Sequence, residues 1–155
     1  MGITLGAPRG LGPEVVDSAL AAGAGAGRAR FVLIGPDGLV PVSSKESVDP
    51  GAVEFEGIGT WTGSGRTEAG VLSAAAIERG IELALSGGID GLVTAPISKE
   101  AIRAAGYPFP GHTEFLQERT AVPDVTMVMA AERTPLGRPR RLALATIYLR
   151  PRSFP

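Results

Sequence analysis

Short apolar runs alternate along the chain with amphipathic stretches. Residues Gly2 to Leu5 form one such run and Arg30 to Gly35, RFVLIG, a second that is nearly continuous, as expected of a strand covered on both faces. A third, Gly91-Leu92-Val93-Thr94, meets Pro96 and must end there. Between them lie two helical patterns. Pro13 to about Ala22 starts with proline in the first turn, where a missing N–H costs nothing, and Glu14 suits the same turn. Thr67 to Leu85 is the strongest helix, with Ala74, Ile77, Ile81, Ala84 and Leu85 on one stripe and Glu78, Arg79 and Glu82 on the wetter side. Thr67 reads as its N-cap and Gly87-Gly88 as its stop. Strands and helices in this order predict βαβ units, hence an α/β fold with a mostly parallel sheet, flanking helices and right-handed crossovers.

The remaining segments are shorter. Val53 to Phe55 reads as a brief edge strand, residues 40–50 as irregular, and Trp61 as a loop residue covering the edge of the core. Lys99 to Ala105 is helical with Gly106 as its stop, Tyr107 to Gly111 cannot continue a helix, and a new one runs from Thr113 to about Arg119. Beyond it the character changes. Val125 to Ala131 and Arg141 to Leu149 read as strands of a long-looped hairpin, whose Arg138, Arg140 and Arg141 make a small basic cluster at a solvated tip. The division this suggests is an α/β domain over residues 1–120 and the incomplete start of a second domain over 121–155.

Composition narrows the function classes. A chain of 155 residues, 44% hydrophobic, can bury roughly 70% of its unfolded surface. Fifteen basic and sixteen acidic side chains leave no field to draw nucleic acid or anionic lipid. There is no cysteine, so disulfides and thiolate metal sites are excluded, and there is one histidine, His112. No leader pattern and no apolar run of spanning length is present, which points to a cytoplasmic protein without a membrane partner. Twenty-two glycines and thirteen prolines interleaved with periodic segments indicate tight connections, and the alternating Ala22 to Gly27 run a flexible connector.

Ligands of open parallel sheets lie beyond the carboxyl ends of the strands, and three loops emerge there. The first, Gly6-Ala7-Pro8-Arg9-Gly10-Leu11-Gly12-Pro13-Glu14, lacks the third glycine of the dinucleotide fingerprint and the Gly-Lys-Ser/Thr of a P-loop. It is either a tight βα turn or an anion or cofactor loop in which Gly10 and Gly12 admit the ligand. The second runs from Thr94 to Lys99, whose ammonium offers a point charge. The third carries His112 and Thr113 to a helix start, where unpaired N–H groups, a hydroxyl and a ring N–H favour an oxyanion. The plainer alternative leaves Thr113 as an N-cap, though with Leu116 three residues on the capping box is absent. The three loops are expected to share one cleft.

The strings LGAPRGLGPEVV and GLVTAPISKEAIRAAGYPFPGHTEF closely resemble the 4-hydroxythreonine-4-phosphate dehydrogenase family of pyridoxal phosphate biosynthesis, and the likeness runs from Ile3 to about Leu149. The resemblance implies an isocitrate/isopropylmalate dehydrogenase-like fold, a homodimer, and NAD(P)-dependent oxidation of the hydroxyl of 4-hydroxythreonine 4-phosphate followed by decarboxylation. A divalent metal held by three histidines would polarise the reacting oxygens. By match to G-H-T-E-F, His112 and Thr113 correspond to substrate-binding residues and not to metal ligands. The family's first metal histidine lies in A-T-T-H-L-P, where this chain reads Ala145-Thr146-Ile147-Tyr148-Leu149-Arg150. Tyr148 takes its place, and a phenol of pKa near 10 is a poor substitute for a neutral imidazole. The other two histidines lie further along in full-length members. The chain thus reads as a truncated N-terminal half, expected to be inactive alone and offering no metal site, with its catalytic residues unassigned. The alternatives are a non-catalytic remnant binding a phosphorylated small molecule or a partner subunit, and a relative acting on another four-carbon acid phosphate.

Overall fold

The computed structural model describes residues 1–25, 27–39, 52–109, 111–132, 134–135 and 137–144. In chain order its elements are β1 (Gly2–Thr4), α1 (Gly12–Ala21), β2 (Phe31–Asp37), β3 (Val53–Thr60), α2 (Arg66–Leu85), β4 (Leu92–Thr94), α3 (Lys99–Ala104), α4 (His112–Thr120), β5 (Met127–Ala131) and β6 (Arg140–Leu144). Two compact units result, Met1–His112 and Thr113–Pro155. The sequence reading set its division after residue 120.

In the first unit β1 to β4 form a parallel sheet in the order β3-β2-β1-β4. Alternate residues of β1 and β2 serve opposite faces. Leu5, Phe31 and Leu33 pack with Val16 and Leu20 of α1 and with Ala95. On the other face the backbone of α2 approaches Ile34 and Leu92 at Gly80. Leu33 and Ile34 are fully buried, each burial worth about 1.5–3 kcal/mol. This two-sided cover is why RFVLIG reads as an unbroken apolar run.

Several local expectations are corrected. Strand β2 continues through Pro36 because the register with β3 shifts between Gly35 and Asp37, and the β1 pairing has already ended at Ile34. A proline without an N–H fits such a bulge. Strand β3 extends to Thr60, well past the expected Phe55. It is an edge, and Glu54 and Glu56 on it discourage further pairing. Helix α2 has Gly65, not Thr67, at its N-cap, and no side chain among the described residues caps it. Leu85, expected on the buried stripe, is 68% exposed. The charges on the wetter side do more than meet solvent, since Arg79 Nε donates to Glu56 Oε1 at 2.7 Å and so ties α2 to the edge strand.

The second unit, described by itself, contains α4 from Thr113 on and an antiparallel β5–β6 hairpin in which Met127 faces Leu144 and Ala131 faces Arg140. The expected hairpin is present in that register, while the part of the expected second strand from residue 145 on lies outside the described residues. Arg119 stacks 5.6 Å from the centre of the Phe115 ring. No helix among the described residues is long and apolar enough to cross a membrane.

Candidate functional site

The carboxyl ends of β1 and β4 are laced together by their loops. Ala7 N donates to Pro96 O at 3.0 Å, and Ala95 N to Thr4 O at 3.2 Å. Gly6 makes this possible: its φ is +71°, and a Cβ built there would collide with the Pro96 carbonyl. Gly10 N then donates back to Ala7 O at 2.8 Å, closing a tight turn. Gly12 lies against the Leu5 carbonyl, so it seats the first turn of α1 on the end of β1.

Beside this loop opens a cleft of about 300 Å³. Ala7, Arg9 and Gly10 line it from the loop, Arg66 and Ala69 from the first turn of α2, and Ser98, Glu100 and Ala101 from the start of α3. Each wall has an identifiable cause. Gly70 of α2 lets the helix lie directly on the Ala101 carbonyl, where any side chain would clash. Ser98 caps α3 by accepting from Ala101 N at 3.2 Å. Ahead of α2, the Glu68 carboxylate accepts from the N–H and hydroxyl of both Thr62 and Ser64, at 2.7–3.1 Å. Desolvation pushes the Glu68 pKa upward, but the hydrogen bonds from Thr62 and then Ser64 outweigh it and hold it below the ordinary value. These bonds fix residues 62–64 and with them the approach to Arg66. Across the cleft Arg66 Nη1 stands 3.3 Å from Glu100 Oε2, both side chains largely exposed.

Of the predicted loops, the glycine loop and the start of α3 share this cleft. Gly10 lines it, while Gly12, Lys99 and His112 do not. His112 is the first residue of α4, so Thr113 lies within that helix instead of capping it, and the two residues stand on either side of the division between the units. The His112 Nε2 is buried without a hydrogen-bond partner among the described residues. Burial first, and the positive charge of Lys99 second, press its pKa below the usual imidazole value. Tyr148 lies outside the described residues. Among those described, no three His, Cys, Asp or Glu side chains gather as metal donors.

Arg9, Arg66, Ser98 and Glu100 are wall residues that sequence reasoning passed over. Ser98 directly ahead of a helical pattern was a readable N-cap signal. Arg66 had none, because its position depends on α2 starting at the same rim as the glycine loop. A larger hollow, about 610 Å³ around Arg28, Arg30, Glu54 and Asp90, lies at the amino ends of the strands. Ligand loops of a parallel sheet do not gather at that end.

A titration follows from the His112 environment. With one histidine in the chain, its ring signals in an NMR pH series are unambiguous, and the midpoint is expected below 6.5. Lys99→Gln should move it upward only part of the way, since burial remains. Because the folded chain holds this proton less tightly than the unfolded one, the contribution to stability is complete above the unfolded pKa and is lost as pH falls through the depressed folded value. A midpoint at or above 6.5 would contradict the burial.

Comparison with known proteins adds to this geometry. The family described as "Pyridoxal phosphate biosynthetic protein PdxA" matches residues 30–151. A 4-hydroxythreonine-4-phosphate dehydrogenase of Burkholderia vietnamiensis is 37% identical over 158 residues, covering 95% of this chain and 47% of that protein. A D-threonate 4-phosphate dehydrogenase of Salmonella typhimurium is 30% identical over 161 residues, covering 84% of the chain and 47% of its own length. The crystal structure of a 4-hydroxythreonine-4-phosphate dehydrogenase from Burkholderia phymatum superposes with a TM-score of 0.73 at 30% identity, over 84% of this chain and 46% of that one. The chain thus spans about half the length of the relatives it matches.

Proposed function

Since the chain belongs to the pyridoxal phosphate biosynthetic protein PdxA family, we propose that it forms the N-terminal α/β part of a dehydrogenase for a four-carbon acid phosphate and holds the anionic substrate at His112 and Thr113. The first candidate substrate is 4-hydroxythreonine 4-phosphate and the second D-threonate 4-phosphate, after the activities named for its relatives. NAD(P) as hydride acceptor, a cytoplasmic setting and a homodimer complete the reading by family. The metal does not fit these residues: the chain has a single histidine and no cysteine, and no donor cluster forms among the described side chains. No step through a metal is therefore assigned to this chain.

The observation that carries the proposal is the buried Nε2 of His112, which has no hydrogen-bond partner among the described residues and lies under the influence of Lys99. A buried ring nitrogen without a partner costs free energy unless something supplies one. An anionic oxygen would supply it and would also offset the Lys99 charge. Calorimetric titration with each acid phosphate, on the original chain, His112→Ala and Thr113→Ala, tests this. Loss of one charge-assisted hydrogen bond should weaken binding roughly 10- to 100-fold in each variant. Equal heats from all three proteins would remove the assigned role.

A second reading, a non-catalytic member that binds a phosphorylated small molecule or a partner subunit, is favoured by Tyr148 in the A-T-I-Y string. It predicts the same titration result without turnover in any larger assembly containing this chain.

A further inference from the structure

We propose that the cleft between Arg9 and Arg66 is an anion site in its own right, taking a phosphate or phosphate-ester group, with Glu100 as its internal competitor. The inference goes beyond the reading above, because it uses neither His112 nor Thr113 and stands even if both prove idle.

Two arginines line the cleft, Arg9 from the loop after β1 and Arg66 from the first turn of α2. Arg9 is exposed and makes no hydrogen bond or ion pair among the described residues. Among the described residues Arg66 has one partner, Glu100, at 3.3 Å, with the two side chains 66% and 74% exposed. Such a pair contributes on the order of 0–1 kcal/mol, so exchanging it for a better acceptor costs little. A phosphate group is that acceptor: it carries more charge than a carboxylate and presents several oxygens in a geometry that a guanidinium grips two at a time. With Arg66 released, the cleft would hold two cations against one displaced carboxylate. Glu68, the acid in the first turn of α2, is already committed to Thr62 and Ser64 and does not compete. The walls are also fixed beforehand, by the Ala7–Pro96 bond on one side and the Gly70–Ala101 contact on the other. Little ordering would accompany binding, which favours affinity for a small ion.

The phosphate could belong to a dinucleotide cofactor or to the acid phosphate substrate, and the same experiment separates the two. Phosphorus NMR and calorimetry are run on the full chain with inorganic phosphate, then with NAD, NADP and a four-carbon acid phosphate as competitors. Arg9→Gln and Arg66→Gln are expected each to weaken phosphate binding about five- to tenfold. Glu100→Gln is expected to tighten it about three- to fivefold, because Arg66 loses its competitor. Tightening cannot arise from a damaged fold, so this arm separates a ligand role from a structural one. Arg28→Gln, at the amino ends of the strands, should change nothing. Competition by NADP well above NAD assigns the group to a cofactor, and competition by the acid phosphate assigns it to substrate; either supports the site. Phosphate affinity that is the same in the original chain, Arg66→Gln and Glu100→Gln overturns it.

Discussion

Gly6→Ala is expected to destabilise the chain by about 2–5 kcal/mol, a large fraction of the roughly 5–15 kcal/mol that holds an ordinary domain together. Two costs coincide at this residue. Its φ of +71° is a conformation that a Cβ disfavours, and the added atom would also meet the Pro96 carbonyl, which is backbone and cannot swing away. Relief requires the β1 and β4 loops to part, and that breaks the hydrogen bond from Ala7 N to Pro96 O. Gly38→Ala isolates the first cost, since Gly38 has a φ of +85° and, among the described residues, nothing near its missing side chain. It should lose only about 1–2 kcal/mol. Urea denaturation of both variants measures the difference. Equal losses would mean that the loops are not held together as described. Phosphate binding should fail in Gly6→Ala even where a folded population survives, because Ala7, Arg9 and Gly10 form one wall of the cleft.

The elements that sequence alone made legible are those with one strong local signal. Phe31 to Gly35 is apolar throughout because helices cover both its faces, and Lys99–Ala104 stops two residues before the glycine-marked turn at Gly106, whose φ is +87°. The misses share a non-local cause. Strand β3 alternates glutamate with small or apolar residues and contains Gly57 and Gly59, which read locally as loop. Its extension depends on pairing with β2 and on Asp37, whose carboxylate occupies the space a side chain at Gly57 would need. The start of α2 was misjudged for a related reason. Glu68 organises the preceding residues from within the helix, so the capping signal expected at Thr67 is absent. His112 could be picked out because it is the only imidazole in the chain. The Arg66–Glu100 pair could not, since it joins residues 34 apart in sequence through the packing of Gly70 on Ala101.

Supplied with 4-hydroxythreonine 4-phosphate, a divalent metal and NAD(P), the 155-residue polypeptide is expected to transfer no hydride. The resemblance calls for three imidazoles around the metal, and the sequence contains one histidine. That one is half-buried on α4 and corresponds by its motif to a substrate contact. Polarisation of the alcohol and ketone by a metal is worth several kcal/mol of transition-state stabilisation, so its loss alone removes on the order of a thousandfold or more in rate. Tyr148→His should not restore turnover, because one added imidazole still leaves the set incomplete. Adding a second polypeptide that spans the remaining half of a matching relative should return activity only together with Tyr148→His, which completes the set of three imidazoles, provided the two parts associate. Nicotinamide absorbance reports the outcome directly. Turnover by the chain alone, abolished by a chelator and unchanged in His112→Ala, would show that metal and substrate are held by residues other than those argued here. Retained phosphate binding without turnover is the expected pair of results, because residues of this chain line the cleft while the three imidazoles that the resemblance calls for are not among its side chains.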